Sequence, residues 1–305
     1  MKLATALDTA GPPIPVATRL GAAGLVVLSS FSAQLGAAYA FGLFNMTSPT
    51  MAAWIRNTVG ASVLIAIVLA RRGSLRGVNP RAVVAMGIVL GGMNATFYEG
   101  LQRLPLGDGV AIEFSGPIVV AALTATRRRH LVWVALAAAG VLAISRPGPA
   151  HLNYAGMAFM LMAAMFWGIY VLLGRRIATG GRRADTLALA MGFSAVFLTL
   201  PAFARSVSTL LDPRVLALGA LVGVLSSAIP YSVELMAMER VPPAIFGVLL
   251  SLQPLSAGLI GLAVLGQRIT PLELAGFCLV VAASLGVTFG AGARDPAPEG
   301  DLLPA

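Results

Sequence analysis

The sequence predicts an all-α membrane protein whose ten transmembrane helices form two inverted five-helix repeats. Three observations carry that expectation: a composition too apolar for a water-soluble body, ten apolar runs close to membrane-spanning length, and a proline-marked segment that recurs once at a fixed offset. Of the 305 residues, 58% are hydrophobic and 11% charged, and the mean hydropathy is +0.87. Soluble domains carry about 25% charged residues, so this chain lacks the polar surface to coat a folded body of its size.

A membrane helix needs about 20 mainly apolar residues. Such runs lie near 20–43, 48–70, 81–102, 107–124, 130–147, 152–174, 184–204, 214–238, 243–265 and 271–291. The breaks between them hold Pro, Gly, Asn or clustered Arg, the residues that end helices. Ten spans put both termini on one side, and basic residues in short loops mark the cytoplasmic side. With the N-terminus inside, fifteen basic residues fall in inner segments and five (Arg103, Arg146, Arg205, Arg214 and Arg268) in outer loops, leaving Arg56 within the second span. This asymmetry accounts for the net charge of +9 without nucleic acid. The Arg-rich stretches 126–130 and 174–183 serve as topology signals, with anionic lipid as a second reading. Residues 1–19 lack the compact apolar core of a signal peptide. They read as a cytoplasmic tail, 20–147 as the first repeat, 148–291 as the second, and 292–305 as a second cytoplasmic tail.

Cys278 is the only cysteine, so no intramolecular disulfide or thiolate metal site of the usual spacing is expected. His130 and His151 flank Arg-rich or turn-rich segments, which supports neither a zinc site nor a His-based triad. No metal, cofactor or enzymatic centre is therefore expected, since an enzyme needs a clustered nucleophile and base within the spans.

The recurring segment is LQRLPLGDGVAIEFSGP at 101–117, set against MERVPPAIFGVLLSLQP ending at Pro254. A shift of 137 residues aligns Arg103 with Arg240, Pro105 with Pro242 and Pro117 with Pro254. The matched elements are the junctions of spans 3–4 and 8–9, so the halves are spans 1–5 and 6–10. Five is odd, and the second half enters the membrane upside down. Inverted repeats are a common build for secondary transporters, with the binding site near the midplane.

A charge at the centre of a membrane helix costs on the order of 2.5–3.5 kcal/mol on insertion scales. Arg56, Glu99, Glu113 and Glu234 nevertheless lie inside the runs. Pro117 has no N–H, so the carbonyl of residue 113 loses its helical donor. Glu113 thus offers a carboxylate and a freed backbone oxygen at one level. Pro230 and Glu234 are also four apart, on one face, and Pro254 is a third helix break. Other readings stand beside these. Glu113 can be a protonated acid bonded to a neighbouring helix, and Glu234 can reach cytoplasmic water. Glu99 is expected to snorkel to the outer interface. Arg56 either reaches that interface, pairs with a carboxylate or binds an anionic group. The spacings Gly87-xxx-Gly91 and Gly219-xxx-Gly223 allow close helix approach.

The segments GGMNATFYEGLQRLPLGDGVAIEFSGP (91–117) and SSAIPYSVELMAMERVPPAIFGVLLSLQP (226–254) resemble the paired signatures of the drug/metabolite transporter superfamily, in its ten-span EamA group. The resemblance implies a bundle with a central cavity and alternating access. It also implies export of small amino acids, threonine- and homoserine-like, across a bacterial inner membrane in exchange for protons. Residue by residue, Glu113, Ser115, Gly116 and Pro117 match the family's Glu-Phe-Thr/Ser-Gly-Pro segment. Asn94 and Tyr98 match its span-3 segment, and Tyr231 and Glu234 its span-8 segment. Two positions depart from the pattern: Gln253 stands where relatives often have Glu before the span-9 proline, and Gly266-Gln267 where many have Gly-Glu. Any proton or cation role of a span-9 carboxylate is then missing here or carried by Glu113 or Glu234.

An amino-acid zwitterion needs an anionic partner for its ammonium and a donor for its carboxylate. Glu113 is expected to bind the ammonium when charged and a proton when empty, with Arg56 holding the carboxylate. Ser115, Asn94 and Tyr231 are expected to bond a side-chain hydroxyl. One proton inward for one zwitterion outward moves one charge, a gain of roughly 2.3 kcal/mol per 100 mV. The expected partners are an amino acid, protons and membrane lipid, with the oligomeric state open. Two other readings remain: the same fold exporting another metabolite or a drug, and a membrane scaffold without transport.

Overall fold

Each of the ten apolar runs carries helix in the computed structural model, which describes residues 16–71, 75, 77–123, 130–145, 153–177, 183–238, 250 and 253–292. There is no strand among the described residues. The helices are α1 (Val16–Phe44), α2 (Pro49–Ala70), α3 (Pro80–Leu101), α4 (Leu106–Leu123), α5 (His130–Ser145), α6 (Tyr154–Ile177) and α7 (Arg183–Ser206). A 3-10 turn (Val207–Leu211) leads into α8 (Pro213–Gly223). A π-turn (Val224–Ala228) joins α8 to α9 (Ile229–Met238), and α10 (Gln253–Leu265) and α11 (Pro271–Gly292) follow. Both expected tails lie mostly outside the described residues, as do Arg240 and Pro242 of the recurring segment.

Local chemistry sets several starts. Ser48, Asn79 and Asp212 each accept a backbone N–H in the first turn and are each followed by a proline, Pro49, Pro80 and Pro213. A capping side chain then satisfies an orphan donor, and the proline has no N–H to strand.

Six helical stretches are long and apolar enough to cross a membrane: Gly24–Phe44, Pro49–Ala70, Pro80–Leu101, Tyr154–Leu173, Ala184–Leu211 and Pro213–Glu234. Ala135–Ile144, Gln253–Leu265 and Pro271–Ala283 are shorter apolar stretches. Large apolar side chains point outward, with Leu200 80% and Leu123 79% exposed. Such helices, apolar on their outer face as well as the inner, suit a lipid surround.

The helices pair as α5 with α11, α2 with α7, α3 with α6 and α7, α4 with α6 and α10, and α1 with α9 and α10. Small residues set the closest approaches. A Cβ on Gly116 would lie 1.9 Å from the carbonyl oxygen of Ala164, so α4 and α6 touch backbone to backbone there. Gly87 and Gly91 lie against α7, and Gly219 and Gly223 against α2, as their spacing predicts.

Four chain breaks meet at one end of the bundle, and all four are breaks assigned to the outer side by charge. Thr47 and Thr209 share a 2.8 Å hydrogen bond, and Ser48 N donates to Ser206 Oγ at 3.3 Å. Leu106 N donates to Gln267 Oε1 at 3.1 Å. Glu99 sits among these contacts and does not snorkel. Its carboxylate is buried, pairs with Arg103 and Arg205 at 2.9 Å each, and accepts from Thr50 Oγ1 at 3.1 Å. Guanidinium groups from the turn after α3 and from α7 satisfy it in place, so reaching the interface would lose contacts rather than gain them.

Candidate functional site

The site grows from the interrupted rod α8–α9. At Ile229 the backbone N–H reaches Val224 O, the wider π spacing. Residue 230 is proline and offers no N–H. In either register its missing donor is one that Ser226 O (α) or Leu225 O (π) would have used. Side chains of the first half take up both oxygens. Ser32 Oγ on α1 donates to Leu225 O at 2.8 Å, and Arg56 Nη2 on α2 donates to Ser226 O at 3.0 Å. Arg56 Nε also donates to Ser227 Oγ at 3.0 Å. Glycines let α1 and α2 lie flush on this turn: a Cβ on Gly36 would come within 2.3 Å of Ser226 Oγ, and one on Gly60 within 2.7 Å of Ser227 Cβ.

Arg56 is 9% exposed and does not reach the interface. Its guanidinium lies over the Tyr98 ring, 5.4 Å from the centroid, a cation–π geometry. Tyr98 is fully buried on α3, with Phe44 packed edge-on at 5.3 Å. One turn earlier on α3, Asn94 Nδ2 donates to Asn57 Oδ1 at 2.7 Å. Asn57 follows Arg56 in sequence, so α2 and α3 meet through a guanidinium–phenol contact and an amide–amide contact side by side.

Glu113 is buried on α4, beside Phe114, which packs edge-on against Trp167 at 5.4 Å. Arg56 and Glu113 form no direct ion pair. Arg56 instead holds a carbonyl and a hydroxyl, which departs from the carboxylate partner that was one sequence expectation. Glu234 accepts from Ser29 Oγ on α1 at 2.8 Å, so it is tied to the bundle rather than simply solvated.

Direct contacts thus join Arg56 to Tyr98 and Asn94 to Asn57 beside Arg56, while Glu234 is joined to Ser29. Ser115 is half-buried and donates to Ile112 O at 2.6 Å, within its own helix. Gln253 is half-buried and Pro254 buried, both within the described part of α10. Pro117 lies inside α4. Gln267, a departure from the family pattern, accepts the first N–H of α4. Sequence reasoning missed Asn57, Ser29 and Ser32. Asn57 was findable, because Arg56-Asn57 is a polar pair in an otherwise apolar run. Among the described residues no group of three His, Cys, Asp or Glu can hold a metal ion.

Ionisable side chains inside apolar helices are costly and, as a class, most often line solute or ion paths. The fold is that of a multi-pass membrane protein, and the proteins it is similar to are transporters. Residues 154–289 match the EamA-like transporter family. The threonine/homoserine exporter RhtA of Salmonella typhimurium (strain LT2) is 32% identical over 266 residues, covering 87% of this chain and 90% of the relative. RhtA of Escherichia coli (strain K12) is 33% identical over the same shares. The chain belongs to the EamA-like transporter family. A more distant relative, the uncharacterized transporter YwfM of Bacillus subtilis (strain 168), is 23% identical over 73% of this chain and 78% of its own. One crystal structure, 19% identical, superposes with a TM-score of 0.62 over 90% of this chain and 97% of that one, a likeness of fold alone.

Proposed function

We propose that this protein exports small amino acids of the threonine and homoserine kind across a bacterial inner membrane, by proton antiport and alternating access. The exporters that it resembles over most of its length supply the substrate class. The observation that carries the chemistry is the placement of Arg56 and Glu113. Arg56 on α2 and Glu113 on α4 are both buried, and Arg56 spends its hydrogen bonds on Ser226 and Ser227 rather than on Glu113. A buried guanidinium and a buried carboxyl that are not paired with each other suit a zwitterion, whose carboxylate goes to the guanidinium and whose ammonium goes to the carboxylate. A carboxyl group can hold a proton or an ammonium but not both, which makes Glu113 the exchange point. Glu234, tied to Ser29, is the alternative exchange point.

Helix pairing supports two inverted five-helix repeats. Taking α8–α9 as span 8, α10 as span 9 and α11 as span 10, a step of five spans maps α5–α11, α2–α7 and α4–α10 onto themselves. The same step maps α3–α6 onto α1–α9, α3–α7 onto α2–α8, and α4–α6 onto α1–α10. The polar end with Glu99 is then the outer face, and both termini are cytoplasmic.

The π-turn offers the moving part. Arg56 of the first half holds Ser226 and Ser227 of the second. A substrate carboxylate competes for the same donors, so occupancy loosens one contact between the halves.

The test is release of labelled threonine and homoserine from preloaded cells, comparing this chain with Glu113→Gln at equal membrane abundance, with and without a protonophore. The expected result is rapid, protonophore-sensitive release that the variant loses. Normal export by Glu113→Gln would remove Glu113 from the mechanism, and a larger loss in Glu234→Gln would move the exchange point there.

A further inference from the structure

We infer that Asn57 and Tyr98 form a subsite that reads the side-chain hydroxyl of the transported amino acid, and so select hydroxy amino acids over their apolar isosteres. The inference rests on the amino-acid exporter reading and adds a specificity determinant that reading did not contain.

Both residues are 0% exposed, and each carries a polar atom without a hydrogen-bond partner among the described residues: the Asn57 amide nitrogen and the Tyr98 hydroxyl. A buried polar group left unpaired costs about 1–3 kcal/mol, and native structures rarely carry one without a reason. The two groups belong to one patch. Asn57 Oδ1 is held by Asn94 Nδ2 at 2.7 Å, which turns the amide so that its own N–H donors remain available. Asn94 and Tyr98 are four apart on α3 and share a face. Arg56, beside Asn57, lies over the Tyr98 ring at 5.4 Å.

The chemistry on offer is an amide donor and a phenol that can donate or accept. An alcohol complements that pair, accepting from Asn57 and exchanging a hydrogen bond with Tyr98. An acidic side chain does not, because the single guanidinium of the patch is already assigned to the α-carboxylate and neutral donors alone would leave a second buried anion uncompensated. Arg56 links the two recognitions. When it swings from Ser226 and Ser227 toward a substrate carboxylate, it uncovers the Tyr98 ring, so the hydroxyl subsite opens only to a ligand that has engaged the guanidinium.

Threonine and valine differ by a hydroxyl for a methyl at nearly constant shape. A site built to hydrogen-bond a hydroxyl rejects the analogue that lacks it far better than an apolar pocket can. The experiment uses the full chain, purified and reconstituted in proteoliposomes preloaded with threonine. Counterflow of labelled threonine is competed by unlabelled threonine, valine, alanine and asparagine. Tyr98→Phe removes one oxygen, and Asn57→Leu replaces the amide with an isosteric apolar group. The expected result is a threonine-over-valine preference that falls about tenfold in each variant, the equivalent of about 1.4 kcal/mol, with threonine losing more than alanine. Tyr98→Phe keeps the test valid if Asn57→Leu does not fold. An unchanged preference in folded Tyr98→Phe, or stronger competition by asparagine than by threonine in the native chain, overturns the subsite while leaving the exporter standing. No counterflow of any amino acid by the native chain overturns the exporter reading, and the subsite with it.

Discussion

Replacing Arg56 by Met should cost less stability when Pro230 is also replaced by Ala than when it is not. Arg56 makes two hydrogen bonds of 3.0 Å to the π-turn, one of them to Ser226 O. That oxygen depends on a side chain because residue 230, its partner in an unbroken α-helix, is a proline. Arg56→Met therefore strands a buried carbonyl, at about 1–3 kcal/mol, in addition to the loss of two charge-assisted bonds. Pro230→Ala restores an N–H four residues on, and the helix can then satisfy Ser226 O itself. The coupling energy between the two substitutions should be about 1–3 kcal/mol, in the range of directly interacting sites. Reversible SDS unfolding of the purified protein in mixed micelles, followed by tryptophan fluorescence, would measure it through the four corners of the cycle. Arg56→Lys should fall between native and Arg56→Met, since a point charge cannot span a carbonyl and a hydroxyl as a planar fork does. If Arg56→Met costs the same in both backgrounds to within about 0.5 kcal/mol, the proline is not the reason Arg56 is held there.

Three further outcomes follow from particular contacts. Gly116→Ala places a methyl 1.9 Å from Ala164 O, against backbone that cannot rotate away; α4 and α6 must separate, and the variant should lose more than about 2 kcal/mol in the same unfolding assay, whereas Gly21→Ala, with open space around it, should be close to neutral. Glu99→Ala removes the acceptor shared by Arg103, Arg205 and Thr50, and should cost about 1–3 kcal/mol rather than the full penalty of a buried pair, because Arg205 is 59% exposed and can turn to water; a cost below about 0.5 kcal/mol would show that the cluster does not hold that end together. Gln267→Ala should lose about 1 kcal/mol with the cap on α4, and Gln267→Glu, which keeps an oxygen at that place, should retain most of it; equal losses would mean that the hydrogen bond from Leu106 is incidental.

The polar residues show where sequence reading worked and where it stopped. Arg56, Glu113 and Glu234 were visible as costly charges in apolar runs, and Pro230 as a break beside one of them. Asn57 is an equally polar interruption of its apolar run, but it carries no charge to mark it. The fate of Glu99 could not be read, because one of its two arginine partners lies in the turn after α3 and the other near the end of α7, more than a hundred residues away. Gln267 looked like a lost carboxylate; only the approach of α10 to the start of α4 gives it a task, as an acceptor that a glutamine supplies as well as a glutamate.

Composition and the spacing of apolar runs determined that the chain is helical and lives in a bilayer, because lipid offers no partner to the backbone and leaves the helix to satisfy itself. That much is local and is written along the chain. Which polar groups meet was decided by tertiary structure alone. An arginine on α2 serves two residues beside a proline in α8–α9, and an asparagine on α2 finds another on α3 while leaving its own donors unused. Those pairings are set by helices touching where glycines let their backbones close in, a condition that distant stretches satisfy jointly and no single stretch records.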